Sequence, residues 1–254
     1  MENPKNRFKQ AIRAGKRQIG LWGSIPSHYT AEVIAGAGFD WFLIDTEHTP
    51  ADIENVLRQL QAVAAYPTTP IVRVPWNDMV TIKRYLDLGV QTILIPQVTT
   101  VAEARNAVAY ARYPAAGLRG AAGSTRATRY GRIKNYFTKA DEEICVLVQL
   151  ESGEALKNLE AIAALDGIDG IFIGPADLHA SLGYLGELSH EQVMPVIDDA
   201  ITRIVKVGKA AGILTASEDH ARRWLKLGAL FVAVGSDVGL LARSADALAA
   251  KFKT

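Results

Sequence analysis

A closed (β/α)₈ barrel, folded as one domain over residues 1–254, is the architecture this sequence predicts. Three observations lead there. Short apolar runs recur along the chain with helix-patterned segments between them, the alternation expected of repeated βα units. The runs are mostly unbroken, as strands covered on both faces of a parallel sheet should be. The length of 254 residues also suits a barrel, which commonly uses about 250 residues as a single domain.

In chain order the strand candidates lie near 18–24, 40–45, 70–74, 91–96, 144–150, 169–173, 211–215 and 230–235. The helical segments between them carry readable stops. AEVIAGAGFD ends on Gly36 and Gly38, IKRYLDLGV on Gly89, and WLKLGAL on Gly228. Glycine is the residue that most easily takes the left-handed conformation closing a helix. No Gly-Ser linker or shift in composition divides the chain. The longest gap between strands runs from about Thr99 to Asp141. AEARNAVAYARY reads there as the fourth helix, and PAAGLRGAAGSTRATRYGRIKNYF as a long loop carrying Arg119, Arg126, Arg129 and Arg132. Two readings of that loop stand level: a basic lid over the site, or a solvated or subunit-contacting segment.

Composition narrows the function class. Hydrophobic residues make up 49% of the chain and charged residues 22%, which argues for a globular protein and against disorder. A net charge of +1 gives no electrostatic case for nucleic acid or an anionic membrane. No apolar run approaches the roughly 20 residues of a transmembrane helix. The N-terminal MENPKNRFKQAIRAGK is charged and helical, unlike a signal peptide. A single cysteine, Cys145, lies inside an apolar run and excludes a disulfide framework within the chain, as a cytoplasmic protein would.

Chemistry is expected where polar residues follow the strands, because the loops there form the active face of such a barrel. DWFLIDTEH delivers His48, PIVRV delivers Arg73, CVLVQLES delivers Glu151, and DGIFIGPADLHASLG delivers Asp177. Glu151 and Asp177 follow strands that should be neighbours, so their carboxylates are candidates to hold Mg²⁺, Mn²⁺ or a similar hard ion through oxygen. A salt bridge or helix cap is the plainer alternative. His48 has Asp45 and Glu47 beside it, and a neighbouring carboxylate orients an imidazole and raises its basicity. Arg73 is a charge inserted into an apolar run; it suits a substrate carboxylate or a developing enolate, or else a structural ion pair with Asp45. Among the other histidines only His28 and His179 are expected to reach the mouth. Trp22 and Trp76 are candidates to line the pocket.

Taken in order, IGLWGS, AGAGFDWFLIDTEHTP, QTILIPQV, RYPAAGLRG, CVLVQLES, IFIGPADLHASLGY and GALFVAVGSD make the chain resemble the HpcH/HpaI aldolases, metal-dependent pyruvate aldolases, over nearly its whole length. The resemblance implies a (β/α)₈ barrel assembled as a homohexamer, a trimer of dimers that exchange their C-terminal helix. It implies reversible cleavage of a 4-hydroxy-2-oxo acid, such as 4-hydroxy-2-oxoheptanedioate, to pyruvate and an aldehyde. Matched by motif, Glu151 and Asp177 would ligate the divalent ion (Mg²⁺, Mn²⁺ or Co²⁺). His48 would be the base, assisted by Asp87 of YLDLG and by Asp45, and Arg73 would stabilise the enolate. Gln149, Ala176, Asp177 and Trp22 would bind substrate.

The chain departs from the family pattern at Thr46, Gln97, Ala115 and His179, which puts aldehyde preference more in question than activity. Competing expectations are an aldolase for 2-keto-3-deoxy-L-rhamnonate or a deoxyglucarate, a decarboxylase of oxaloacetate-like acids, and a barrel that only binds a ligand.

Overall fold

The apolar runs become the staves of a closed barrel in the computed structural model, which describes residues 1–253. A short helix, α1 (Arg7–Arg13), precedes β1 (Gln18–Gly23). Then follow α2 (His28–Ala35), β2 (Trp41–Asp45), α3 (Ile53–Val63), β3 (Thr69–Arg73), α4 (Met79–Asp87), β4 (Thr92–Ile95) and α5 (Val101–Ala111). The second half adds α6 (Tyr136–Glu143), β5 (Cys145–Leu150), α7 (Gly153–Lys157), α8 (Leu159–Ala163), β6 (Gly170–Ile173) and α9 (Pro175–Ser181). It ends with α10 (Met194–Lys206), β7 (Ala210–Leu214), α11 (Glu218–Lys226), β8 (Phe231–Ser236) and α12 (Asp237–Ala250). Each strand pairs in parallel with the next, and β8 closes on β1. The expected fold class is therefore the observed one.

Helix starts are set by short polar side chains that accept a backbone N–H of the first turn. Ser27, Asp52, Asp78, Thr100, Ser217 and Ser236 all serve this way, and Thr100 forms a reciprocal box with Glu103. Gly89 and Gly228, read as helix stops, take φ of +87° and +103° just past α4 and α11. Gly36 caps α2 with an ordinary helical φ, and Gly38 two residues on takes the left-handed one, at +92°.

Side chains alternate between the two faces of each strand, and this decides which residues reach the site. One set packs inside the barrel: Trp22, Trp41, Leu43, Ile71, Leu94, Leu147, Phe172 and Phe231 are buried together, with Phe8 of α1 closing the lower end. The other set, including Ile44, Val72, Ile93, Val148 and Ile171, packs against the helices. Small residues make room for the large interior rings. A Cβ on Gly20 would collide with the Trp41 indole, and one on Gly212 with the Phe231 ring.

Two features depart from the expectations or extend them. The arginine-bearing segment is not a lid over this chain's own mouth. It follows α5, and a helix of this fold runs back from the mouth to the opposite end of the barrel. There it packs on the C-terminal end of α4: the Ala127 N–H donates to the Asp87 carbonyl (3.1 Å), and Arg126 Nη1 donates to the Leu88 carbonyl (2.6 Å). Arg119 is wholly buried, 4.4 Å above the Tyr113 ring, with Nη2 donating to Asp87 Oδ1 at 2.9 Å.

The second feature is α12. Asp237 anchors its start by accepting the Ser24 N–H at 2.7 Å, yet Asp237 is the only buried residue of that helix. Leu240, Leu241 and Leu248 are exposed on it. Among the described residues no helix is long and apolar enough to cross a membrane.

Candidate active site

The inward-facing residue at the end of each strand is what the mouth presents. Trp22 ends that series on β1, Asp45 on β2, Arg73 on β3, Gln149 on β5, Phe172 on β6 and Leu214 on β7. A cavity of about 490 Å³ opens there, lined on one side by Trp22, His48, Arg73, Gln149, Ala176 and Asp177. That volume is in the usual range for small-molecule sites.

Arg73 is buried and fixed from two sides. Its Nε and Nη2 donate to the two oxygens of Asp45 at 2.9 and 2.6 Å, and its Nη1 lies 2.8 Å from Glu47 Oε2. The guanidinium also rests 4.8 Å over the Trp22 ring, whose Nε1 donates to Asp45 Oδ2 at 3.2 Å. Burial opposes ionisation of Asp45. The hydrogen bonds and charge of Arg73, with N–H groups of Glu47 and Trp22, outweigh it and hold the carboxyl below the usual carboxylate range. The ion pair with Asp45, one of the two readings of Arg73, is thus present, and it leaves one edge of the guanidinium lining the cavity.

Glu47 was named in the sequence only as a neighbour of His48, and its position shows more. Its Oε2 lies between Arg73 and His48, 3.8 Å from His48 Nε2. Burial and the nearby charges of Asp45 and Asp177 push its pKa up, against the pull of Arg73 and His48. His48 itself is 65% exposed, as a group exchanging protons with a bound molecule needs to be.

Across the cavity, Glu151 sits just under the lining. Its Oε1 accepts the Gln97 N–H at 2.7 Å and its Oε2 accepts from Gln149 Nε2. Gly174 is required beside it, because a Cβ there would press on both Glu151 and Gln149. Burial, reinforced by the like charges of Asp177 and Glu47, pushes the Glu151 carboxyl up to about 7 despite these two donors. Asp177 lies in the first turn of α9, partly exposed and facing the cavity. The helix is capped at Gly174, so Asp177 is not its cap residue.

The structure therefore brings together Trp22, Asp45, His48, Arg73, Gln149, Glu151, Ala176 and Asp177. Asp87 it does not bring there. It ends α4 at the opposite end of the barrel, where it is paired with Arg119. Trp76 and His28 do not line the cavity either. His179 is wholly buried in α9, with Nδ1 2.6 Å from the Pro175 carbonyl, so it neither faces the surface nor narrows the pocket.

The other departures do not line the cavity either, though Thr46 and Gln97 bond residues of the site. Thr46 donates its hydroxyl to the Arg73 carbonyl at 2.6 Å, Gln97 takes φ of +55° to aim its N–H at Glu151, and Ala115 lies in the segment after α5. The residues the sequence did not single out are Leu214, Thr215, Ser217, His220, Trp224 and Ser236, which form the β7–β8 side of the cavity. Their only signal was position after β7 and β8, since none breaks the local pattern.

A family model for HpcH/HpaI aldolase/citrate lyase matches residues 18–244. The chain is 56% identical to a protein of Rhizobium etli named pyruvate aldolase, over 254 residues and the full length of both. It is 55% identical over 249 residues to a 4-hydroxy-2-oxo-heptane-1,7-dioate aldolase of Shigella sonnei, covering 98% of this chain and 95% of that one. The crystal structure of an HpcH/HpaI aldolase/citrate lyase family protein from Burkholderia cenocepacia superposes with a TM-score of 0.95 at 37% identity, covering 98% of this chain and all of the other. With its barrel, its strand-end residues and these full-length matches, the chain belongs to the HpcH/HpaI aldolase/citrate lyase family.

Proposed function

We propose that this protein is a divalent-metal-dependent pyruvate aldolase that reversibly cleaves a 4-hydroxy-2-oxo acid to pyruvate and an aldehyde, with 4-hydroxy-2-oxoheptanedioate as its substrate. The observation that carries the reading is the meeting, at one mouth, of an unpaired carboxylate pair with an arginine held beside an exposed histidine. Names borne by the relatives from R. etli and S. sonnei agree with it.

The residues present fit a divalent cation. Glu151 is a buried acid whose ionisation is opposed by burial and by Asp177 and Glu47, and no basic side chain pairs with Glu151 or Asp177 among the described residues. No cluster of three or more acidic, histidine or cysteine ligands exists among them either, so Glu151 and Asp177 would hold the ion with water and substrate oxygens completing its shell. When bound, Mg²⁺, Mn²⁺ or Co²⁺ supplies Lewis-acid stabilisation of the negative charge that develops at the 2-oxo group.

The chain's own groups supply the rest. The Ala176 and Asp177 backbone and the Gln149 side chain orient the 2-oxo acid. His48 takes the proton from the C4 hydroxyl as the C3–C4 bond breaks. The free edge of Arg73 donates to the C2 oxygen as electrons collect there, and Asp45 fixes that edge in advance. No lysine lines the mouth to form a Schiff base.

Asp87 enters this scheme only through assembly. Being at the far end of its own barrel, it would assist a His48 of a neighbouring copy. The exposed leucines of α12 suit exchange of that helix within a dimer, and a homohexamer of such dimers is the assembly we assign with the function. A cytoplasmic location goes with it, since Cys145 is free and buried.

Two results are expected. Chelator-treated protein should release no pyruvate from 4-hydroxy-2-oxoheptanedioate, and Mg²⁺ or Mn²⁺ should restore release with an equal amount of succinic semialdehyde. Release without metal, or carbon dioxide without aldehyde, would contradict the reading. Secondly, the ion must displace the proton that Glu151 holds up to about pH 7. Calorimetric Mn²⁺ affinity should therefore weaken up to about tenfold per pH unit below that point and level off above it. A profile flat from pH 5.5 to 8 would remove Glu151 from the metal site.

A further inference from the structure

The far end of the barrel carries a charge pair that the mouth of the same chain does not use. Asp87 ends α4, where the helix dipole disfavours a carboxylate. Arg119 holds it there, with Nη2 donating to Asp87 Oδ1 at 2.9 Å. Asp87 Oδ2 has no hydrogen-bond partner among the described residues, and its side chain is 22% exposed while that of Arg119 is wholly buried.

Arg119 is fixed by its own segment. The Leu118 and Arg119 N–H groups donate to the Ala109 and Arg112 carbonyls at 2.7 and 2.8 Å, at the end of α5. Gly117 permits that approach, since a Cβ there would lie 2.4 Å from each of the same two oxygens. The guanidinium rests over Tyr113, with the Tyr136 ring 6.0 Å away, and its Nε and Nη1 make no hydrogen bond. A buried charge left so incompletely paired is a weak source of stability, and apolar side chains of similar volume often serve a fold as well. What Arg119 does achieve is to pin one oxygen of Asp87 and leave the other free at a partly exposed place.

His48 presents the complementary half. Its Nε2 lies 3.8 Å from Glu47 inside the site, its ring is largely exposed, and its Nδ1 has no partner among the described residues. The two halves cannot meet within one chain, because they stand at opposite ends of the barrel.

We propose that Arg119 is a positioning residue for the reaction of a neighbouring copy: it holds Asp87 with Oδ2 free to accept the Nδ1–H of that copy's His48. The inference rests on the aldolase reading and on the role of Asp87 stated with it, and adds the residue that fits Asp87 for that role. Asp87 so held turns the Nε2 lone pair of the imidazole toward the C4 hydroxyl and offsets the charge the ring gains with the proton.

The test is a double-mutant cycle on cleavage of 4-hydroxy-2-oxoheptanedioate with Mg²⁺, using Arg119→Met, Asp87→Asn and the two combined, with Arg119→Lys as the conservative variant. Asp87→Asn should lower kcat by about 10²-fold and Arg119→Met by about tenfold or more, within what general-base catalysis contributes, with KM little changed. The combined variant should be no slower than Asp87→Asn alone, because Arg119 acts only through Asp87. Arg119→Lys, which still offers Asp87 a cation, should keep more of the rate than Arg119→Met. Assemblies formed by co-expressing His48→Ala with Arg119→Met should be more active than either parent, since one copy supplies an intact His48 and the other an intact Arg119–Asp87 pair. Should Arg119→Met fail to fold, Arg119→Lys takes its place in the cycle and in the mixed assemblies.

Losses that add in the combined variant, an unchanged kcat in either single variant, or mixed assemblies no better than their parents would overturn the proposal. Exchange of pyruvate methyl protons by the Mg²⁺-loaded wild type separates the two readings. With exchange present, any of these failures removes the role of Arg119 alone; with no exchange, the aldolase reading falls as well.

Discussion

Replacing Asp177 by alanine should cut metal-dependent turnover by on the order of 10³-fold or more while leaving the folded protein as stable as before. The rate follows from the loss of one of the two proposed protein ligands; charge stabilisation by a bound ion contributes several kcal/mol, and about 1.4 kcal/mol is tenfold in rate. The stability follows from what Asp177 does not do. Its side chain is partly exposed, has no ion-pair partner among the described residues, and does not cap α9, which begins with Pro175 after Gly174. Glu151 makes a poorer test, because its removal would strand the Gln97 N–H and the Gln149 amide in a buried place. Steady-state rates with saturating Mg²⁺, alongside a thermal melt, check both halves. A variant with normal turnover would take Asp177 out of the site.

Arg73→Ala should lower both activity and stability. The developing enolate oxygen loses its fixed donor, at a cost of about 10²- to 10³-fold in kcat. Asp45, only 3% exposed, is left with its charge buried and unpaired, which costs about 3–5 kcal/mol.

The pH dependence of stability should change with it. In the wild type, Arg73 holds Asp45 below the ordinary carboxylate range, so the stabilisation is complete above that range and is lost as the pH falls through the lowered value. Without Arg73 burial dominates, and Asp45 takes up its proton at higher pH. Arg73→Lys should recover part of the stability and little of the rate, since an ammonium cannot span both Asp45 oxygens and still reach Glu47 and the substrate. Denaturant unfolding at neutral and acid pH, with kcat for each variant, separates the two effects. If Arg73→Ala kept near-normal kcat, Arg73 would be structural only.

Most of the barrel was legible because buried parallel strands leave unbroken apolar runs, and the polar residue that ends such a run stands out. DWFLIDTEH and CVLVQLES announce His48 and Glu151 in that way. What the sequence conceals is which end of the barrel a helix terminus occupies. YLDLG sits in a familiar motif, yet Asp87 ends a helix that has returned to the far side, and only topology reveals this. The arginines after α5 left two readings level for the same reason, since basic residues in a long loop read alike at either end. Thr215, Ser236 and His220 were overlooked on different grounds. They are ordinary surface-type residues in a strand end and a helix, and only the closing of β7 and β8 against β1 turns them into a cavity wall. Glu47 was visible as a neighbour of His48, but its bridge to Arg73 depends on β2 and β3 lying side by side.

The central claim is that Glu151 and Asp177 hold a cation with which the chain makes the pyruvate enolate. Exchange of the pyruvate methyl protons into deuterium oxide, followed by proton NMR with no aldehyde present, tests it most directly. The account predicts no exchange above background in chelator-treated protein, rapid exchange after Mg²⁺ is added, and none with Mg²⁺ in Asp177→Ala. Exchange that is indifferent to the metal or to Asp177, or its absence from the Mg²⁺-loaded wild type, would contradict it.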